Sequence, residues 1–155
     1  MLYYVDTKVV FAEVPNEVTL AINISNCPCN CKGCHSSYLA DNIGNPLLPE
    51  ILSELIESNK GITCVAIMGG DANPREVDAL AFYIKVIYDD IKVAWYSGRQ
   101  ELSEDIKLKN FDYIKLGPYI EELGPLSSKT TNQRFYKVVG ENLIDITNKF
   151  FNERK

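Results

Sequence analysis

Apolar and polar positions divide the chain into short extended segments alternating with helical ones. Val18, Leu20, Ile22 and Ile24 fall on one side of a strand, with Thr19, Ala21 and Asn23 on the other. Thr63-Cys64-Val65-Ala66-Ile67-Met68 is almost uninterrupted, the pattern of a strand buried on both faces of a parallel sheet. Ile91 to Tyr96, Phe111 to Leu116 and Phe135 to Val139 read as further strands, and Leu143 to Phe151 begins extended and finishes helical. At the N-terminus, Leu2 to Val5 and Lys8 to Val14 are both rich in β-formers, with a turn expected at Asp6-Thr7. Between strands, Leu48, Ile51, Leu52, Leu55 and Ile56 form a helical stripe that Pro49 opens and Gly61 closes. Asn73-Pro74-Arg75-Glu76 starts a second helix. Asn73 caps it, Pro74 fits the first helical position, and Val77, Leu80, Ala81, Ile84 and Ile87 face the core. Leu102 to Leu108 predicts a weaker third helix, and Ser127 to Arg134 a polar loop.

Strand, loop and helix in repetition give an α/β fold with right-handed crossovers and a largely parallel sheet. About five or six strands fit, short of the eight that close a (β/α)₈ barrel, so the expected architecture is a partial, open βα barrel. Asn26-Cys27, Gly69-Gly70-Asp71, Ser97-Gly98 and Gly117-Pro118 each follow a strand and should gather at the carboxyl edge, where such sheets place ligands.

Composition narrows the class. The 155 residues predict one domain, 1–155, and 46% hydrophobic with 24% charged residues is a globular balance. Sixteen basic against twenty-one acidic side chains give a net charge of −5, which disfavours nucleic-acid and anionic-membrane partners. No apolar run is long enough to span a bilayer, and Met1 to Asp6 lacks the character of a secretory leader, so a cytoplasmic protein is expected.

Four of the five cysteines crowd into Cys27-Pro28-Cys29-Asn30-Cys31-Lys32-Gly33-Cys34. A disulfide framework spreads its cysteines across distant loops, so this crowd points to a metal or cluster site. Cys27-x3-Cys31-x2-Cys34 can supply three corners of a 4Fe–4S cubane and leave one iron for another ligand. The alternatives are a structural zinc site drawn from Cys27, Cys29, Cys31, Cys34 and His35, and a thioredoxin-like pair at Cys31 and Cys34. Cys29 is read as a non-ligand, His35 as a loop residue, and Cys64 as core packing.

The same motif resembles the radical S-adenosylmethionine (SAM) family, within it the activating proteins of anaerobic ribonucleoside-triphosphate reductase. Cys31-Lys32-Gly33-Cys34-His35-Ser36, Gly69-Gly70-Asp71, Trp95-Tyr96-Ser97-Gly98-Arg99, Gly117-Pro118-Tyr119-Ile120-Glu121-Glu122-Leu123 and Thr131-Asn132-Gln133-Arg134 extend the resemblance along nearly the whole chain. It implies a radical SAM type of open barrel and a 4Fe–4S cluster on Cys27, Cys31 and Cys34. SAM would bind the unique iron, with Gly69, Gly70 and Asp71 at its amino group and Ser97 and Arg99 toward its ribose or carboxylate. The implied activity is an oxidoreductase that cleaves SAM reductively and abstracts hydrogen from a glycine of the reductase. Its implied partners are the large reductase subunit and a low-potential one-electron donor such as flavodoxin or ferredoxin. Activation of another glycyl-radical enzyme, or a small iron–sulfur or zinc scaffold without SAM chemistry, are the alternatives. Asp71 departs from the usual glutamate, and Gly33 from the aromatic that often precedes the third cysteine. Lys115 reads equally as a pocket or a solvent residue, Trp95 and Tyr96 as core, and the roles of Asn132, Gln133 and Arg134 stay open.

Overall fold

The computed structural model describes residues 1–11, 13–25 and 43–151. Among these residues eight strands form one sheet: β1 (Tyr3–Val10), β2 (Thr19–Ile24), β3 (Asn45–Pro46), β4 (Cys64–Met68), β5 (Lys92–Tyr96), β6 (Tyr113–Leu116), β7 (Arg134–Val139) and β8 (Asn142–Asp145). Their order across the sheet is β3-β1-β2-β4-β5-β6-β7-β8. Among the described residues, β2-β4, β4-β5 and β5-β6 pair in parallel, and the flanking pairs on both sides are antiparallel. The described residues hold two α-helices, α1 (Pro49–Glu57) and α2 (Pro74–Ile87).

This corrects the expected fold. An open, largely parallel βα barrel of the radical SAM type is not what these residues form; the sheet is mixed and wider than expected. The physical reason lies in the connections. Parallel pairing requires a crossover of a dozen or more residues, and the links from β2 to β4 to β5 to β6 are long enough. Gly140-Glu141 between β7 and β8 is only a hairpin turn, which forces antiparallel pairing.

The central strands are buried on both faces. On one, Leu20, Ile22, Ile24, Val65, Ile67, Val93, Trp95 and Ile114 meet Leu52 and Ile56 of α1 and Val77, Leu80, Ala81 and Ile84 of α2. Each such aliphatic side chain contributes about 1.5–3 kcal/mol when fully buried. The other face is built from small side chains: Ala21, Ala66 and Ala94 lie in register across β2, β4 and β5. Val14, Tyr113 and Phe135 close over that face, and Phe135 packs 4.7 Å, ring to ring, from Phe150.

α2 begins as its sequence predicts. Pro74 occupies the first turn and the Asn73 side chain accepts the Glu76 amide hydrogen bond at 3.3 Å. Two local expectations are corrected. β1 runs through Asp6 and Thr7 without a turn, because Asp6 is used inside the ladder: a bulge at Tyr4/Asp6 brings its carboxylate 2.6 Å from Asn23 Nδ2. Leu102 to Leu108 is not a helix; the segment ends in a short 3₁₀ turn at Leu108–Asn110. Buried Asp78 of α2 takes its hydrogen-bonding groups instead, accepting from Lys107 N at 2.9 Å and Asn110 Nδ2 at 3.1 Å. No helix among the described residues is long and apolar enough to cross a membrane.

Candidate functional site

The ends of β4, β5 and β6 bring Gly69-Gly70-Asp71, Ser97-Gly98-Arg99 and Gly117-Pro118 to one edge of the sheet, as the strand pattern predicted. Asp71 is 4% exposed, and its two carboxylate oxygens accept from Ser97 Oγ at 2.6 Å and Gly98 N at 2.7 Å. Ser97 Oγ in turn accepts from Arg99 N at 3.1 Å. The Asp71 carboxylate therefore fixes the turn after β5 rather than standing open toward solvent.

Lys115 reaches the same turn from the other side. It is buried, and its Nζ donates to Ser97 O at 3.1 Å and Gly117 O at 2.8 Å. Gln133 Nε2 approaches Gly117 O at 3.4 Å, and Asn132 Nδ2 donates to Pro118 O at 3.1 Å. Backbone contacts complete the frame: Gly117 N to Arg99 O at 2.6 Å and Gly69 N to Tyr96 O at 3.0 Å. Trp95 Nε1 donates to Gly69 O at 2.6 Å, so the core aromatic also anchors a loop.

Two glycines are required by this crowding. Gly70 has φ +95°, and a Cβ there would stand 2.6 Å from Val77 Cγ2 of α2. Gly117 has φ +113°, and its Cβ would come within 3.1 Å of Gln133 Cα. Gly70 is thus set by helix packing and Gly117 by the closeness of the 131–133 segment.

Of the expected cofactor-binding residues, Gly69, Gly70, Asp71 and Ser97 come together, and Arg99 joins them through its backbone with an exposed side chain. Thr131 and Gln133, from the Thr131-Asn132-Gln133-Arg134 stretch, are buried in the same region as Lys115. Cys27, Cys31 and Cys34 lie outside the described residues, as do Cys29 and His35. A separate hollow of about 550 Å³ is lined by Pro15, Asn16, Ser127, Lys149 and Phe150, and contains none of the expected site residues.

No family model, no curated protein and no solved structure matches this chain. Among the described residues, no group of three or more His, Cys, Asp or Glu side chains could hold a metal ion. That finding and the mixed sheet correct the expectations that followed from the cysteine motif and the resemblance. Membership of the radical SAM family, the 4Fe–4S cluster and bound SAM are not supported. Neither is the oxidoreductase activity of a glycyl-radical activase, nor the iron–sulfur or zinc scaffold alternative.

Cys64 is buried in β4 as core packing predicted. Burial, aided by the Glu17 carboxylate, pushes its thiol up to about 12. Burial first and Glu13 second hold the Tyr96 phenol well above its usual value, and burial with Glu17 does the same for Tyr113. Each group keeps its proton in the fold after the unfolded chain has lost it. Their contribution is complete below the ordinary values and is lost as pH rises toward the raised ones. Urea midpoints are expected to fall steadily from about pH 9 to about pH 11, with Tyr96 and Tyr113 forming tyrosinate only on unfolding. A midpoint flat across that range, with all nine tyrosines titrating in the folded chain, would contradict the burial argument.

Proposed function

We propose that this chain is a binding domain for a small polar, anionic ligand seated at the carboxyl edge of β4, β5 and β6. The observation that carries the reading is the concentration of buried polar side chains there: Asp71, Ser97, Lys115, Thr131 and Gln133. Buried polar groups are retained when fully hydrogen-bonded, and such a network fixes loops in one arrangement. Here it holds the turns after β4, β5 and β6 relative to one another. Open α/β sheets bind ligands at this edge. Arg99 supports an anion: its side chain is exposed at the rim of a chain with net charge −5, and guanidinium matches carboxylate and phosphate geometry.

Amide NMR of the ¹⁵N-labelled full chain tests this, with acetate, succinate, inorganic phosphate and adenosine monophosphate as probes. At least one probe is expected to shift Gly69, Gly70, Gly98, Arg99 and Gly117 together. Arg99→Gln should weaken that probe by about tenfold, the loss of one charge-assisted contact. Shifts confined to the hollow around Pro15 and Phe150, or none at millimolar probe, would sink the proposal.

A further inference from the structure

α2 is apolar on two opposite sides. Val77, Leu80, Ala81 and Ile84 are buried, while Ala79, Phe82 and Val86 on the far side are exposed. Phe82 is 53% and Val86 60% exposed; Ile87, expected to face the core, is 53% exposed at the last position of the helix. A surface helix ordinarily turns charge outward on that side.

Arg75, Ala79, Phe82 and Val86 follow one another at the alternating four- and three-residue spacing of a helix–helix seam. Charge stands at the ends of the stripe: Arg75 at the amino end, Asp89 and Asp90 just past the carboxyl end, all exposed. Arg75 Nε lies 3.3 Å from Asp105, but both side chains of that pair are open to water. Such a pair holds its members weakly. The charges are balanced along the sequence: Arg75 lies as far before Phe82 as Asp89 lies after it, Asp89 standing just beyond the helix end at Ile87.

We infer that a second copy of this chain covers this face, with the two α2 helices antiparallel about a twofold axis at Phe82. The two Phe82 rings then meet, small Ala79 faces Val86 of the second copy, and Arg75 faces Asp89 and Asp90 of the second copy. A twofold axis makes each of these contacts twice. The parallel arrangement would set Arg75 on Arg75 and aspartate on aspartate. The helix is 14 residues, roughly 21 Å long. The patch is therefore smaller than the roughly 800 Å² per partner of a standard interface, and the dimer is a weak, concentration-dependent one.

Sedimentation equilibrium of the full chain over a concentration series is the test, with urea midpoints measured alongside. Wild type is expected to fit a monomer–dimer equilibrium. Phe82→Asp should raise its dissociation constant at least about tenfold without lowering the midpoint of the monomer. Val86→Lys repeats the test should Phe82→Asp fold poorly. Arg75→Asp should weaken association, as should Asp89→Arg with Asp90→Arg, and combining all three should restore it to within about threefold of wild type. A strictly monomeric wild type at the highest concentration overturns the inference. So does a dimer indifferent to Phe82→Asp and Val86→Lys, or a triple variant with no recovery.

Discussion

Asp71→Ala is expected to destabilise the chain by about 3 kcal/mol and to abolish the joint ligand response of the three carboxyl-edge turns. The carboxylate accepts from Ser97 Oγ and Gly98 N while only 4% exposed, so truncation leaves two donors facing an apolar gap. An unmade buried hydrogen bond costs more than a made one contributes, and a charged acceptor raises the difference. Asp71→Asn separates shape from charge. Its amide oxygen can accept from Gly98 N, and its NH₂ can donate to Ser97 Oγ, which already accepts from Arg99 N and has a second lone pair. The asparagine variant should therefore lose only about 1 kcal/mol. Urea denaturation of the two variants decides it. Equal losses would mean that the carboxylate acts by its charge and not by bridging the turns.

That bridge shows what could be read from the sequence. Each of the β4, β5 and β6 segments is an apolar run stopped by glycine or a Gly-containing turn, and parallel strands ending that way must bring their turns to one edge. Asp71 and Ser97 were legible for that reason. Lys115 was not, because a lone lysine in Tyr113-Ile114-Lys115-Leu116 fits a solvent-facing position as well as a buried one. Its two carbonyl partners come from other turns, 97 and 117. The helices at Pro49 and Pro74 carry their own start signals, whereas Leu102 to Leu108 has only weak periodicity, and distant Asp78 captures its polar groups. The antiparallel flanks were missed for another reason. Apolar runs mark strands but not their direction: a short connection such as Gly140-Glu141 forces antiparallel pairing, whereas a long one permits either, and the long link from β6 to β7 returns antiparallel. The cysteine motif misled most, because spacing suggests a ligand set without fixing what the surrounding fold provides.

Trp95 should give the largest single effect. It is the chain's one tryptophan, 1% exposed, and its ring sits 6.3 Å from Phe111 in the core beneath α2. Trp95→Ala removes that volume and is expected to cost about 3–5 kcal/mol, within reach of the whole stability of a small domain. Trp95→Phe keeps most of the ring and removes the Nε1 donor that holds Gly69 O at 2.6 Å. The expected loss is then about 1–3 kcal/mol, the cost of leaving that carbonyl without its donor. The two variants divide packing from loop anchoring. In the phenylalanine variant, amide exchange should quicken at Gly69, Gly70 and Asp71 more than in the central strands, because the damage is confined to the turn after β4. The hydrogen bond of Gly69 N to Tyr96 O remains in that variant and limits how far the turn can open. Uniform quickening across β4 and β5 would place the tryptophan's role in the core alone. The turn would then owe its position to Asp71 and to the packing of Gly70 against Val77.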